Sequence, residues 1–91
     1  MGIDISSKMA TFSHELSIRG LRADEALGKV ESFVDEALLL GVDEIRVLHG
    51  KGHGILRDIV RNFAKDHSAI ANVEDEHADR GGAGISIIKL R

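Results

Sequence analysis

The chain has 91 residues, a formal charge of −3, 43% hydrophobic residues and no cysteine. This length accommodates one domain, and the absence of cysteine excludes disulfides, thiolate metal sites and cysteine nucleophiles. No apolar run approaches the length of a membrane span and the N-terminus lacks a signal pattern, so a cytoplasmic protein that does not act at a membrane is expected.

The first elements are a strand and a helix. Residues 1–13 show no sustained period and are interpreted as a flexible N-terminal arm, which leaves residues 14–91 as the domain. Leu16 and Ile18 alternate with polar residues, as in a short strand with one apolar face. From Asp24 the apolar residues recur every three or four positions, which predicts an amphipathic helix that Gly41 ends.

The second half of the chain continues this alternation of elements. The segment Ile45–His49 predicts a strand, a helix follows from Ile55 to about Phe63, and two further strands are predicted at Ile70–Asp75 and Ile85–Leu90. The order β-α-β-α-β-β predicts a two-layer α/β sandwich with a mixed four-stranded sheet. Its first two strands should be parallel, its last two should form a hairpin, and one sheet face should be open.

The connection between the second strand and the second helix is the most informative segment. It contains three alternating glycines, which permit positive φ and close approach of the backbone to a ligand. The N-terminus of the following helix favours a phosphate. The pattern is neither a Walker A loop nor a dinucleotide fingerprint, and a purely structural turn is the alternative.

Basic side chains gather around this turn. Parallel strands would bring Arg19 to the same sheet edge as His49 and Lys51, where Arg and Lys can bind a phosphate and His can transfer a proton. Residues 44–65 carry five basic side chains against two acidic ones, and Arg57, Arg61 and Lys65 should line an exposed helix edge. The alternative for such an edge is an ordinary solvated helix face.

These considerations give two sets of candidate residues. The catalytic candidates are His49 and Arg19. The candidates for binding nucleic acid or phosphate are Arg22, Gly50, Lys51, Gly52, His53, Gly54, Arg57 and Arg61. No metal site is predicted, and Mg²⁺ is the one cofactor considered, because a carboxylate among Asp75, Glu76 and Asp79 could orient water or magnesium.

Four segments in this order resemble a small MutS-related (Smr) domain from about residue 15 to the end. They are Leu16-Ser17-Ile18-Arg19-Gly20, Asp24-Glu25-Ala26, His49-Gly50-Lys51-Gly52-His53-Gly54 and Gly81-Gly82-Ala83-Gly84-Ile85. Arg19, where stand-alone members usually have His, and Asp75-Glu76-His77 are similar to the version at the C-terminus of the second class of bacterial MutS-like ATPases.

The resemblance implies a fold similar to the C-terminal domain of translation initiation factor three. It also implies binding of DNA or RNA, with nicking activity in several members that suppresses homologous recombination or acts on RNA and stalled ribosomes. ATP hydrolysis would belong to other parts of a MutS-like parent chain.

The family signatures carry over residue by residue. Arg19 matches the last charged position of L-D-L-[HR]-G, and His49, Gly50, Lys51, Gly52 and Gly54 match H-G-x-G-x-G. Ser17 stands where the family usually has Asp, which removes a carboxylate from beside Arg19. A general base or metal-binding carboxylate is therefore missing at that position.

Three functions follow as hypotheses. The first is an endonuclease domain that cleaves DNA or RNA. The second is a non-catalytic module that docks its parent chain on DNA, RNA or the ribosome. The third is a domain that binds a protein partner and no nucleic acid.

Overall fold

The computed structural model describes residues 11–91, which form one sheet and two helices. In chain order the elements are β1 (Glu15–Ser17), α1 (Ala23–Leu39), β2 (Glu44–Leu48), α2 (Ile55–Lys65), β3 (Ile70–Asp75) and β4 (Ile85–Leu90). Two short 3₁₀ turns, Ala78–Arg80 and Gly82–Gly84, connect β3 to β4. The predicted order of strands and helices is confirmed.

The sheet is mixed, and its strand order is β1-β2-β4-β3. β1 and β2 are parallel, because α1 carries the chain back along the sheet between them. β4 lies between β2 and β3 and is antiparallel to both, so β3 and β4 form the predicted hairpin. Both predictions of strand direction are confirmed.

The two helices cover one face of the sheet, and the core lies between the two layers. The sheet contributes Ile18, Ile45, Val47 and Ile88, all with no exposed surface. The helices contribute a stripe spaced by three and four residues, in which Val30, Val34 and Val60 are also fully buried. Burying an Ile or Val side chain contributes about 1.5–3 kcal/mol, so each of these residues stabilises the packing of the helices on the sheet.

The ends of α1 follow from local chemistry. Asp24 and Glu25 lie in its first turn, where negative charge is favourable. Gly41, with a φ of +72°, follows the last turn in the left-handed conformation that ends many helices. In residues 11–91 there is no helix with the length and hydropathy needed to span a membrane.

The N-terminal segment is described only from residue 11 onwards. Most of the predicted flexible arm, residues 1–10, lies outside the described residues. Phe12, which the prediction assigns to that arm, stacks on Phe33 of α1 with 5.4 Å between ring centroids and packs against the core. The predicted boundary between arm and domain remains a prediction.

Candidate nucleic-acid interface

The glycine turn between β2 and α2 has two residues in the left-handed region. Gly50 has a φ of +81° and Gly54, the residue before α2, has a φ of +80°. A residue with a Cβ is strained in this conformation, so these two positions favour glycine. Gly52 does not have a positive φ, so the turn uses this conformational freedom of glycine at Gly50 and Gly54.

His49 and its neighbour Gly50 hold the first part of this turn against Gly84, the residue before β4. The backbone N–H groups of His49 and Gly50 both donate to the Gly84 carbonyl, at 3.1 and 2.9 Å. The imidazole Nδ1 lies 2.8 Å from the Gly50 carbonyl and must carry the proton, since a carbonyl oxygen only accepts. Nε2 lies 2.9 Å from the Ser86 hydroxyl, a group that can donate to this nitrogen or accept from it.

These contacts bear on the predicted role of His49. Its residue surface is only 6% exposed, and both ring nitrogens already have partners within the protein. Transfer of a proton to a ligand would require one of these hydrogen bonds to break. The geometry therefore favours a role in holding the turn, and proton transfer by His49 remains a prediction.

Ser86 is a site residue that the sequence reasoning missed. It is fully buried on the helix-facing side of β4, the side that also carries Ile88 and Leu90. A lone polar residue on an apolar strand face needs a hydrogen-bond partner. That alternation was visible in the sequence, although the identity of the partner was not.

The second part of the turn leaves its amide groups open. Among residues 11–91, the backbone N–H groups of residues 51–57 donate to no protein group, and no side chain caps the start of α2. A pocket of about 130 Å³ lies here, lined by His53, Ile55 and Arg57 among others. Open amides at a helix N-terminus favour an anion.

Arg19 and Lys51 line a second cavity, called here the Arg19–Lys51 cleft. It has a volume of about 280 Å³, and its other lining residues are Leu48, Gly50, Gly81, Gly84 and Ile85. The two cations come from different strand ends, which meet because β1 and β2 are parallel. Arg19 Nε donates to the Ser17 hydroxyl at 3.4 Å, so Ser17 occupies the position from which a carboxylate would face Arg19.

Arg57 and Arg61 are placed differently from the prediction. Arg57 makes a bidentate contact with Asp75 through Nη2, at 3.0 and 3.1 Å, and Arg61 Nη2 lies 2.6 Å from the same carboxylate. Arg61 also donates to the Val73 carbonyl. The predicted exposed edge is wrong for these two arginines, which are half-buried and attach α2 to β3. Lys65 is exposed as predicted.

The remaining candidates lie around the turn. Arg22 is exposed just before α1, and it lines neither the cleft nor the pocket at the start of α2. His53 is exposed within the turn. Larger cavities lie elsewhere, including a groove of about 470 Å³ between α1 and α2, but Arg19 and Lys51 do not line it.

Two of the three carboxylates considered for magnesium pair with arginines. Asp75 pairs with the two arginines of α2, and Glu76 lies 2.8 Å from Arg46. Within residues 11–91, no three His, Asp or Glu side chains are grouped so that they could hold a metal ion.

Comparison with known proteins agrees with this fold. Residues 16–91 match the Smr domain family. This range begins within β1, at Leu16, and includes all the later helices and strands. The chain belongs to the Smr domain family. The predicted resemblance is thereby confirmed.

The relatives of this Smr domain include long bacterial proteins. Endonuclease MutS2 of Helicobacter pylori is 41% identical over 78 residues, which is 86% of this chain and 10% of that protein. Endonuclease MutS2 of Geobacillus thermodenitrificans is 37% identical over 87 residues, which is 96% of this chain and 11% of that protein. The chain thus spans about a tenth of the length of the curated relatives it matches.

Two solved structures share the fold. The Smr domain of Thermus thermophilus MutS2 matches with a TM-score of 0.82 and 36% identity, over 85% of this chain and 96% of that one. YdaL, a stand-alone small MutS-related protein from Escherichia coli, matches with a TM-score of 0.81 and 21% identity, over 100% of this chain and 77% of that one. The predicted two-layer α/β class is confirmed.

Proposed function

We propose that this Smr domain binds the phosphate backbone of DNA or RNA at the glycine turn. Arg19 and Lys51 supply the positive charge, and the open amides of residues 51–57 supply further donors. His49 and Ser86 hold the turn in place from the buried side. In a MutS-like parent chain, the domain would attach the rest of that chain to nucleic acid.

One observation carries this proposal. Within residues 11–91, Arg19 and Lys51 line the same cleft, and neither forms an ion pair with a carboxylate. Two cations without a carboxylate partner, beside open amide groups, favour the binding of an anion. Because the chain as a whole has a net charge of −3, the positive charge at the turn is a local feature.

Salt dependence tests the proposal. Fluorescence anisotropy with a labelled DNA duplex and a labelled RNA hairpin should give a log Kd that rises linearly with log salt concentration. Lys51→Ala should reduce the slope by about 1, the value for one phosphate contact. Lys29→Ala is the matched control, because Lys29 is exposed on α1 and should leave the slope unchanged. Binding independent of salt would contradict the proposal.

Phosphodiester cleavage is the second candidate function. The curated relatives named above are endonucleases by name, which favours it. Two features of the chain argue for slow turnover: Ser17 offers a hydroxyl where a carboxylate is expected, and the His49 ring is already engaged. A non-catalytic binding module is therefore the main alternative to a nicking or RNA-cleaving enzyme.

A nicking assay separates these two functions. The purified domain is incubated with supercoiled plasmid or structured RNA, with and without magnesium. Cleavage by the domain should disappear in the Arg19→Ala variant and increase in Ser17→Asp, which restores a carboxylate at position 17. Equal cleavage by all three proteins would identify a contaminating nuclease and leave the binding module as the function.

The proposed cellular setting is the bacterial cytoplasm, in a MutS-like parent that suppresses recombination or acts on stalled ribosomes. Sedimentation of the domain with purified ribosomes tests the second possibility. A Lys51-dependent shift into the ribosomal fraction would favour it, and retention in the supernatant at low salt would favour DNA as the target.

A further inference from the structure

The side-chain stems of both cations in the Arg19–Lys51 cleft lie against glycines. The Arg19 Cγ and Cδ atoms lie 3.6 Å from where a Cβ on Gly50 would be. The Lys51 Cγ atom lies 3.3 Å from where a Cβ on Gly84 would be. A Cβ at Gly84 would press on the Lys51 stem, and one at Gly50 would only touch the Arg19 stem, so both stems lie directly against glycines along the cleft.

The same cleft has an apolar floor. Leu48 of β2 and Ile85 of β4 are direct cross-strand partners on the open face of the sheet, and both are half-buried. Directly opposed side chains in an antiparallel pair form a continuous surface. Gly81 keeps this surface open, because a Cβ there would collide with the Ile85 side chain.

This combination is more than a phosphate requires. Phosphate binding needs donors and positive charge, and an apolar surface beside them adds nothing to it. A ligand that carries both an anionic group and a flat apolar group would use both parts. With about 280 Å³, the cleft lies near the lower end of the range for small-molecule pockets, roughly 300 Å³, and is too small for a segment of duplex.

We propose that the Arg19–Lys51 cleft holds one unpaired nucleotide, with its phosphate between the two cations and its base against Leu48 and Ile85. This inference rests on the proposed binding of nucleic acid at the turn. A base in an intact duplex must leave the stack to reach the floor, and this unstacking is unfavourable. A base in a gap or overhang avoids most of that cost, so the cleft favours DNA or RNA with single-stranded positions.

A comparison of two DNA ligands tests the inference. The affinity of the whole chain is measured by anisotropy for a blunt duplex and for the same duplex with a short single-stranded gap. The gapped duplex should bind about tenfold more tightly, since an unpaired base can cover the apolar surface of Leu48 and Ile85 without first leaving a stack. Equal affinities would overturn the inference and leave the proposed function intact. No binding to either duplex would overturn both.

A variant of the floor sharpens the test. Ile85→Ser should lower the affinity for the gapped duplex about tenfold, to the value for the blunt duplex, because it removes apolar surface from the floor. Leu39→Ser is the matched control, because Leu39 is 61% exposed at the far end of α1, and it should leave both affinities unchanged. A loss of the same size on both duplexes in Ile85→Ser would count against the nucleotide subsite.

A titration of the unmodified chain tests the inference without relying on the Ile85→Ser variant to fold. NMR spectra of the methyl groups are recorded with inorganic phosphate and with the dinucleotide dithymidylate. The dinucleotide should shift the methyl signals of Leu48 and Ile85, and phosphate should leave them in place. If dithymidylate shifts only the resonances of Arg19 and Lys51, the floor is not a subsite, although phosphate binding stands.

Discussion

Two pairs of basic residues in this domain carry the same charge but differ in whether a carboxylate lies beside them. Arg19 and Lys51 line one cleft and have no carboxylate partner among residues 11–91. Arg57 and Arg61 both pair with Asp75, which joins α2 to β3. The first pair is available to an anion, and the second already has one within the fold. Whether a basic side chain has a carboxylate partner therefore decides its role more than whether it lies in a basic segment of the sequence.

The largest effect should come from removing the available pair. The double substitution of Arg19→Ala and Lys51→Ala should weaken duplex binding about 100-fold, since each charged hydrogen bond contributes about tenfold or more. The matched double substitution of Arg57→Ala and Arg61→Ala should weaken binding less than about threefold. Anisotropy at one salt concentration measures both. If the two double variants lose equal affinity, the comparison fails.

The next largest effect concerns His49, which holds the glycine turn in place. His49→Ala should lower the free energy of unfolding by about 2–3 kcal/mol, because it leaves a cavity and deprives buried Ser86 of its partner. Urea denaturation followed by circular dichroism gives the value. His53→Ala is the control, because His53 is exposed and its loss should change stability by less than about 0.5 kcal/mol.

A result in which both histidine variants keep the stability of the parent would show that the His49 ring does not hold the turn. His49 would then be available for the proton transfer predicted from the sequence.

A smaller effect should follow from removing the carboxylate that pairs with Arg57 and Arg61. Asp75→Asn removes the charge that Arg57 and Arg61 share, so duplex binding should tighten about threefold and its salt slope should increase by about 1. Asp79→Asn makes the same change of net charge at a side chain that is 88% exposed and paired with no arginine. Identical behaviour of the two variants would mean that only net charge matters.

The smallest effect concerns the stability that the second pair provides. Arg61→Ala should lower the free energy of unfolding by about 0.5–1 kcal/mol, a low value because the Arg61 and Asp75 side chains are 28% and 40% exposed and screened by water. Lys65→Ala, at the exposed end of the same helix, should change it less. Urea titrations of the two variants measure the difference, and a larger loss in Lys65→Ala would show that Arg61 does not fasten α2 to β3.

Much of this molecule was predictable because its sequence periods are clear. Spacings of three and four residues located α1 and α2, and alternation located the strands, with β3 and β4 predicted at their observed bounds. Glycines at Gly41, Gly50 and Gly54 marked turns with positive φ correctly, because few other residues adopt that conformation. The family followed from the ordered motifs, and residues 16–91 match it.

The sequence by itself thus determined the order of elements, the parallel start of the sheet and the meeting of Arg19 with the glycine turn at one edge. Only the tertiary structure decided which polar groups pair. Ser86 reaches His49 across 37 positions, and Asp75 reaches Arg57 across 18. Local periodicity fixes which face a residue occupies, but a pairing between distant segments depends on strand register and helix position, which only the packed core defines.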